Sequence, residues 1–201
     1  MERFVHQNLN LRGKKCRRSN LGVSATDKEE EYSYPDIWTL EKTSGSDRLV
    51  IGPSAQHVSL MLELLSLIPE PLAILYVLVV PRTEGVTAGR YQSSTPRFRE
   101  QTESFLTRFG DYFERDGRHH IWIASMSTSD LLVYDRHNVI YAYGQLAAYE
   151  KILVQRGLKR ADVVAFPVPH VHNYNAVYDS EQNAILRYWQ WNESPLQEQD
   201  E

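Results

Sequence analysis

Residues 119–144 constrain the fold more than any other part of the chain. They read His-His-Ile-Trp-Ile-Ala-Ser, a polar turn, then Leu-Leu-Val-Tyr-Asp-Arg-His-Asn-Val-Ile-Tyr-Ala-Tyr-Gly. β-Branched and aromatic residues dominate and the turn signals are closely spaced, which predicts three consecutive antiparallel strands. Asp135 suits the first position of a type I turn, because its carboxylate bonds its own backbone. Asn138 tolerates the left-handed conformation that closes a bulged hairpin.

Upstream, residues 37–41 and 48–51 flank a polar turn and read as a hairpin. Ser54 is placed to cap a helix over 55–68, with Val58, Met61, Leu62, Leu65 and Ile68 at helical spacing. Residues 72–80 form an apolar run without polar alternation, the mark of an interior strand covered on both faces. On it Leu75, Val77 and Val79 alternate with Ile74, Tyr76 and Leu78. A long loop over 82–94 leads to a helix that opens at Thr95-Pro96, proline first, and closes at Gly117. Phe98, Phe105, Leu106, Phe109 and Phe113 lie on one of its faces. Beyond the meander the reading is a helix over 146–156 stopped by Gly157, a short strand over 162–166, an extended segment over 170–178 and a last strand over 184–191.

Lined up, these elements repeat. Hairpin, glycine, helix, strand and proline succeed one another over 38–80 and again over 131–166. The expected fold is therefore α+β: a largely antiparallel sheet with about three helices packed on it, arranged as two ββαβ-like units. Residues 1–31 read as a disordered arm, 32–192 as a single α+β domain and 193–201 as a frayed acidic tail.

Composition narrows the function classes. The chain has 201 residues and one cysteine, Cys16, so a disulfide within the chain is impossible. Its longest apolar run falls far short of the ~20 residues that span a bilayer, and a soluble, cytoplasmic protein without membrane partners is expected. The net charge of −4 divides into +5 over residues 1–20 and −9 over the remainder. Nucleic-acid contact is thus expected only through the arm, if at all.

Among candidate sites, His170, His172 and Tyr174 would share one strand face. Two imidazoles so placed supply half of a Zn²⁺ shell. His119, His120, His137 and Asp135 join them only if strand order brings them near. The Asp135 to Asn138 segment is explained by turn chemistry alone. Neither a nucleophile elbow nor a phosphate-binding glycine loop is recognisable. Tyrosine and tryptophan concentrate in the second half of the chain, as they do where a protein presents an amphipathic contact face. The leading expectation is a non-catalytic intracellular protein-binding domain, free of cofactor. It would use an acidic, aromatic-bearing surface with Tyr174, Tyr188, Trp189 and Trp191, and toxin neutralisation would suit such a surface. The alternatives are a Zn-dependent enzyme centred on His170 and His172, and nucleic-acid contact through residues 1–20.

Overall fold

The computed structural model describes residues 14–16, 21–22, 30–32, 35–164, 171–172 and 174–200. Three short strands come first: β1 (Lys14–Cys16), β2 (Leu21–Gly22) and β3 (Glu30–Tyr32). β1 pairs in parallel with β3, and β2 pairs antiparallel with β12 (Val171–His172). The expected disordered arm otherwise lies outside the described residues.

The body is built on a nine-stranded sheet. In chain order its strands are β4 (Ile37–Glu41), β5 (Arg48–Gly52), β6 (Leu72–Leu78), β7 (Gly89–Ser93), β8 (His119–Ser125), β9 (Leu131–Tyr134), β10 (Ile140–Tyr143), β11 (Lys159–Arg160) and β13 (Trp191–Ser194). In space the order is β11-β4-β5-β10-β9-β8-β6-β7-β13. Every neighbouring pair is antiparallel except β11 with β4. The meander over 119–144 is present as β8, β9 and β10. Its second turn is built as the sequence predicts: the Asp135 carboxylate accepts the N–H groups of His137 and Val139, both at 2.9 Å, and Asn138 sits at φ 59°.

Among the described residues five helices accompany the sheet: α1 (His57–Leu65), α2 (Arg99–Arg108), α3 (Gly110–Arg115), α4 (Leu146–Gln155) and α5 (Asp179–Tyr188). Alternation along the strands separates two faces. Leu49, Ile51, Ile74, Tyr76, Leu78, Ile121, Ile123, Leu132, Tyr134, Ile140 and Ala142 share one core with Met61, Phe105, Phe113, Tyr149 and Ile185 of the helices. Val50, Leu75, Val77, Trp122, Val133 and Tyr141 alternate onto the opposite face. β6 lies inside the sheet between β8 and β7, as the apolar run predicts, but it ends at Leu78, and Val79 and Val80 fall outside the strand expected over 72–80. Among the described residues no helix is long and apolar enough to cross a membrane.

Several expected boundaries differ for identifiable reasons. The Ser54 N–H donates to the Asp36 carboxylate, Gln56 turns left-handed at φ 58°, and α1 starts only at His57. Arg97 exchanges both backbone hydrogen bonds with Leu72 at 2.8 Å, so Pro96 lies outside the helix and α2 begins at Arg99. Phe109 leaves helical geometry at φ −107°, ψ 14°, and one expected helix becomes two. The loop over 82–94 contains β7. Of the strand expected over 162–166, residues 162–164 lie outside any strand and 165–166 outside the described residues; the two-residue strand β11 comes just before them.

The largest correction concerns residues 174–200. Of the extended segment expected over 170–178, Val171–His172 is the strand β12 and Ala176–Tyr178 a 3₁₀ turn, while 170 and 173 lie outside the described residues; the expected strand over 184–191 is mostly the helix α5. Asp179 and Glu181 in its first turn complement the helix dipole, and Gln182 and Ile185 face inward at helical spacing. The tail expected to fray instead supplies β13 on the sheet edge, and Asp200 is buried. The two ββαβ units are met only roughly. β4-β5-α1-β6 and β9-β10-α4-β11 lie about the central β5–β10 pair, with β8 inserted between β9 and β6.

Candidate functional site

Three rings expected to contact a partner gather at one place. α5 ends at Tyr188 and the backbone becomes extended at Trp189, so Tyr188, Trp189 and Trp191 fan out over the side of α2. Trp189 stacks on Phe105 at 4.6 Å and 25°. Tyr188 lies 5.4 Å from both Phe105 and Phe109. The Trp191 indole N–H donates to the Ile185 carbonyl at 3.1 Å. Trp191 is held by packing, while Tyr188 keeps 39% of its surface exposed. Tyr188 and Trp189 form one wall of an open depression, and Glu100, Gln101 and Ser104 of α2 form the other. The Arg97 guanidinium lies over Trp189, 4.5 Å from the ring centre.

A buried polar network fixes the other end of α5. Arg118 is wholly buried and donates to Asp116 at 2.6 and 2.8 Å, Asp179 at 2.8 Å, Gln182 at 3.0 Å and the Asn175 carbonyl at 3.1 Å. Burial opposes its charge, yet the bonds to Asp116 and Asp179 outweigh burial and its pKa rises above the ordinary arginine value. The network ties α5 to the start of β8 and so sets where Tyr188 stands. Sequence reasoning missed it. The available signal was Asp116 and Arg118 two residues apart beside a strand.

On the opposite face of the sheet, strand order brings together residues far apart in sequence. His120 and His119 point to opposite faces. His119 enters the core and stacks on Tyr112 at 4.6 Å, while the His120 ring nitrogen meets the Asp200 carbonyl at 3.1 Å. The β8–β9 register, continued by one residue, sets His120 across from Asp135. Asp135 lies 3.2 Å from Nδ1 of His137, whose ring is 4.8 Å from that of His172. Tyr174 stacks on His172 at 6.2 Å and 17°, and the depression is lined by Tyr188 and Trp189 without it. Burial alone would raise the Asp135 pKa. The hydrogen bond and charge of His137, with the charge of His120, hold it below the usual carboxylate value. Burial pushes His120 down against the pull of Asp135. His170 lies outside the described residues. Among the described residues no group of three or more His, Cys, Asp or Glu side chains is placed to hold a metal ion.

Comparison with protein families, with curated proteins and with solved structures gives no match.

Proposed function

We propose that this chain is a non-catalytic protein-binding domain that takes its partner at the depression between α2 and the end of α5. The observation that carries the reading is Tyr188 standing 39% exposed beside Trp189 over a wall of Glu100, Gln101 and Ser104. Tyrosine, tryptophan and arginine dominate the energetics of protein interfaces, because rigid rings bury much area at small entropic cost. Phe98, 59% exposed just before α2, adds an apolar side chain beside Arg97. The groups suited to proton transfer, Asp135, His120 and His137, belong to the other face of the sheet. The depression thus supports binding better than it supports chemistry.

A photo-reactive phenylalanine analogue placed at the exposed Ser104 tests the reading in cells. A discrete cross-linked partner is expected from position 104 and not from Lys151, an exposed position on α4. Identical adducts from both positions, or none from 104, would count against it.

A second reading rests on the Asp135–His137–His172 arrangement. A carboxylate behind one imidazole, with a second imidazole beside it, is the outer-shell pattern common at metal sites. Further ligands would have to come from water or from residues outside those described. Elemental analysis of untagged protein should then find metal that His172→Ala loses, and metal-free protein would remove this reading.

A further inference from the structure

The next inference rests on the depression being a docking surface and concerns the chemistry of what docks there. Four arginines lie over an aromatic ring and also meet a carboxylate. Arg48 pairs with Glu41 at 2.6 Å, Arg90 with Asp200 at 3.6 Å, Arg108 with Glu181 at 3.0 Å and Arg118 with Asp116 at 2.6 Å. Arg160, over Trp38, is exposed to water. Arg97 is different. It is partly buried over Trp189, and its Nε is buried without a hydrogen-bond acceptor. Among the described residues no carboxylate forms an ion pair with it. Burial draws its pKa down and no acidic neighbour offsets that. Its backbone is pinned on both sides by Leu72, so the guanidinium is carried on a fixed stem over Trp189, which lines the depression.

A guanidinium is planar and presents a fork of N–H donors that matches the two oxygens of a carboxylate. Held on an aromatic platform it has lost part of its hydration and much of its freedom, so an incoming anion costs little further ordering. We propose that the occupant is a peptide segment of a partner protein that sets one aspartate or glutamate carboxylate on Arg97 and an adjoining apolar side chain against Tyr188. Glu100 on the facing wall limits the charge the site accepts. A run of acids would meet repulsion there, whereas one acid flanked by apolar or basic residues would not. The net charge of −4 also disfavours long-range attraction of a polyacid, so recognition is made at the guanidinium itself.

The test is to pan a displayed random-peptide library on the full chain and on the Arg97→Met, Arg97→Lys and Ser104→Arg variants. Thermal melts check that each variant folds. Arg97→Met keeps the apolar stem over Trp189 and removes the charge; Arg97→Lys keeps charge and loses the fork. Peptides enriched on the wild type should carry a single Asp or Glu beside an apolar residue. A synthetic peptide of that consensus should bind at least about tenfold more weakly to Arg97→Met and measurably more weakly to Arg97→Lys, the loss of one charge-assisted pair. Enrichment without acid preference, or an affinity unchanged in Arg97→Met, overturns the carboxylate assignment. If binding is still lost in Ser104→Arg, docking at the depression stands. Equal enrichment on Ser104→Arg, or none on the wild type, removes both.

Discussion

Arg118 and Lys42 show why burial, more than distance, decides what an ion pair contributes. Lys42 and Asp47 approach to 2.5 Å, but their side chains are 74% and 34% exposed, and such a pair contributes about 0–1 kcal/mol. Arg118 and Asp116 are at 2.6 Å with both side chains wholly buried. Removing the Asp116 carboxylate takes two charge-assisted bonds from the buried guanidinium and leaves Asp179 as its counter-ion, so Asp116→Ala should cost about 3 kcal/mol in urea unfolding. A loss below about 1 kcal/mol would mean that the network does not anchor α5. His119 makes a separate prediction in pH. Burial, aided by the charges of His120 and Arg118, holds it neutral well below its ordinary pKa. The unfolded chain takes up that proton near pH 6.5, so the unfolded state binds more protons below this value. Stability is then complete above about pH 6.5 and falls by about 1.4 kcal/mol per pH unit below it for one such histidine. His119→Phe keeps a ring against Tyr112 and Phe113 without the proton site. Its urea midpoint, relative to wild type, should rise between pH 7.5 and 5.5; parallel curves would show that His119 is protonated in the fold.

Elements were legible where local chemistry acts alone. The Asp135 and Asn138 turn, the continuous run of β6 and the Gly157 stop of α4 could be read because each depends on residues within a few positions. α5 could not. Its Ile185 and Tyr188 carry strand propensity, and the helix wins because Gln182 and Ile185 are buried and Arg118 holds its first turn. β7 was hidden in the same way, since Gly89-Arg90-Tyr91-Gln92-Ser93 becomes a strand by pairing with β6 and β13. Two substitutions test the elements. Phe109, 2% exposed between Phe105, Phe113 and Tyr188, should cost about 3–5 kcal/mol as Ala. An unchanged melting temperature would mean that α2 and α3 are not docked on the core. Gly144 sits at φ 105°, where an added Cβ would lie 2.1 Å from the Asp130 carboxylate that receives the Gln145 N–H and the Tyr149 hydroxyl. Gly144→Ala should destabilise by more than about 1 kcal/mol, because the left-handed backbone and the start of α4 are both disturbed. Wild-type stability in that variant would show the turn free to rearrange.

On the scale of the whole molecule, the sheet separates two chemistries. Helices, the aromatic cluster and the depression lie on one face; Asp135, His120, His137 and His172 lie on the other. Alternation along a strand told which residues share a face, but strand order is set by helical crossovers that carry no local signature. That His120 meets Asp135 across β8 and β9, while His119 stacks in the core, therefore became visible only in the folded chain. The aromatic concentration was legible, whereas its division into a packed Trp191, a half-exposed Tyr188 and a Tyr174 stacked on His172 was not. If the depression is the contact surface, Ser104 reports on it most directly. It is exposed, lies mid-helix in α2 and forms part of the wall facing Tyr188. Arginine suits a helix there and fills the depression without disturbing the core. Calorimetric titration of the cross-linked partner, once isolated, into wild type and Ser104→Arg should show affinity weakened at least about tenfold at an unchanged melting temperature. Equal affinity for the two proteins would place the contact surface elsewhere.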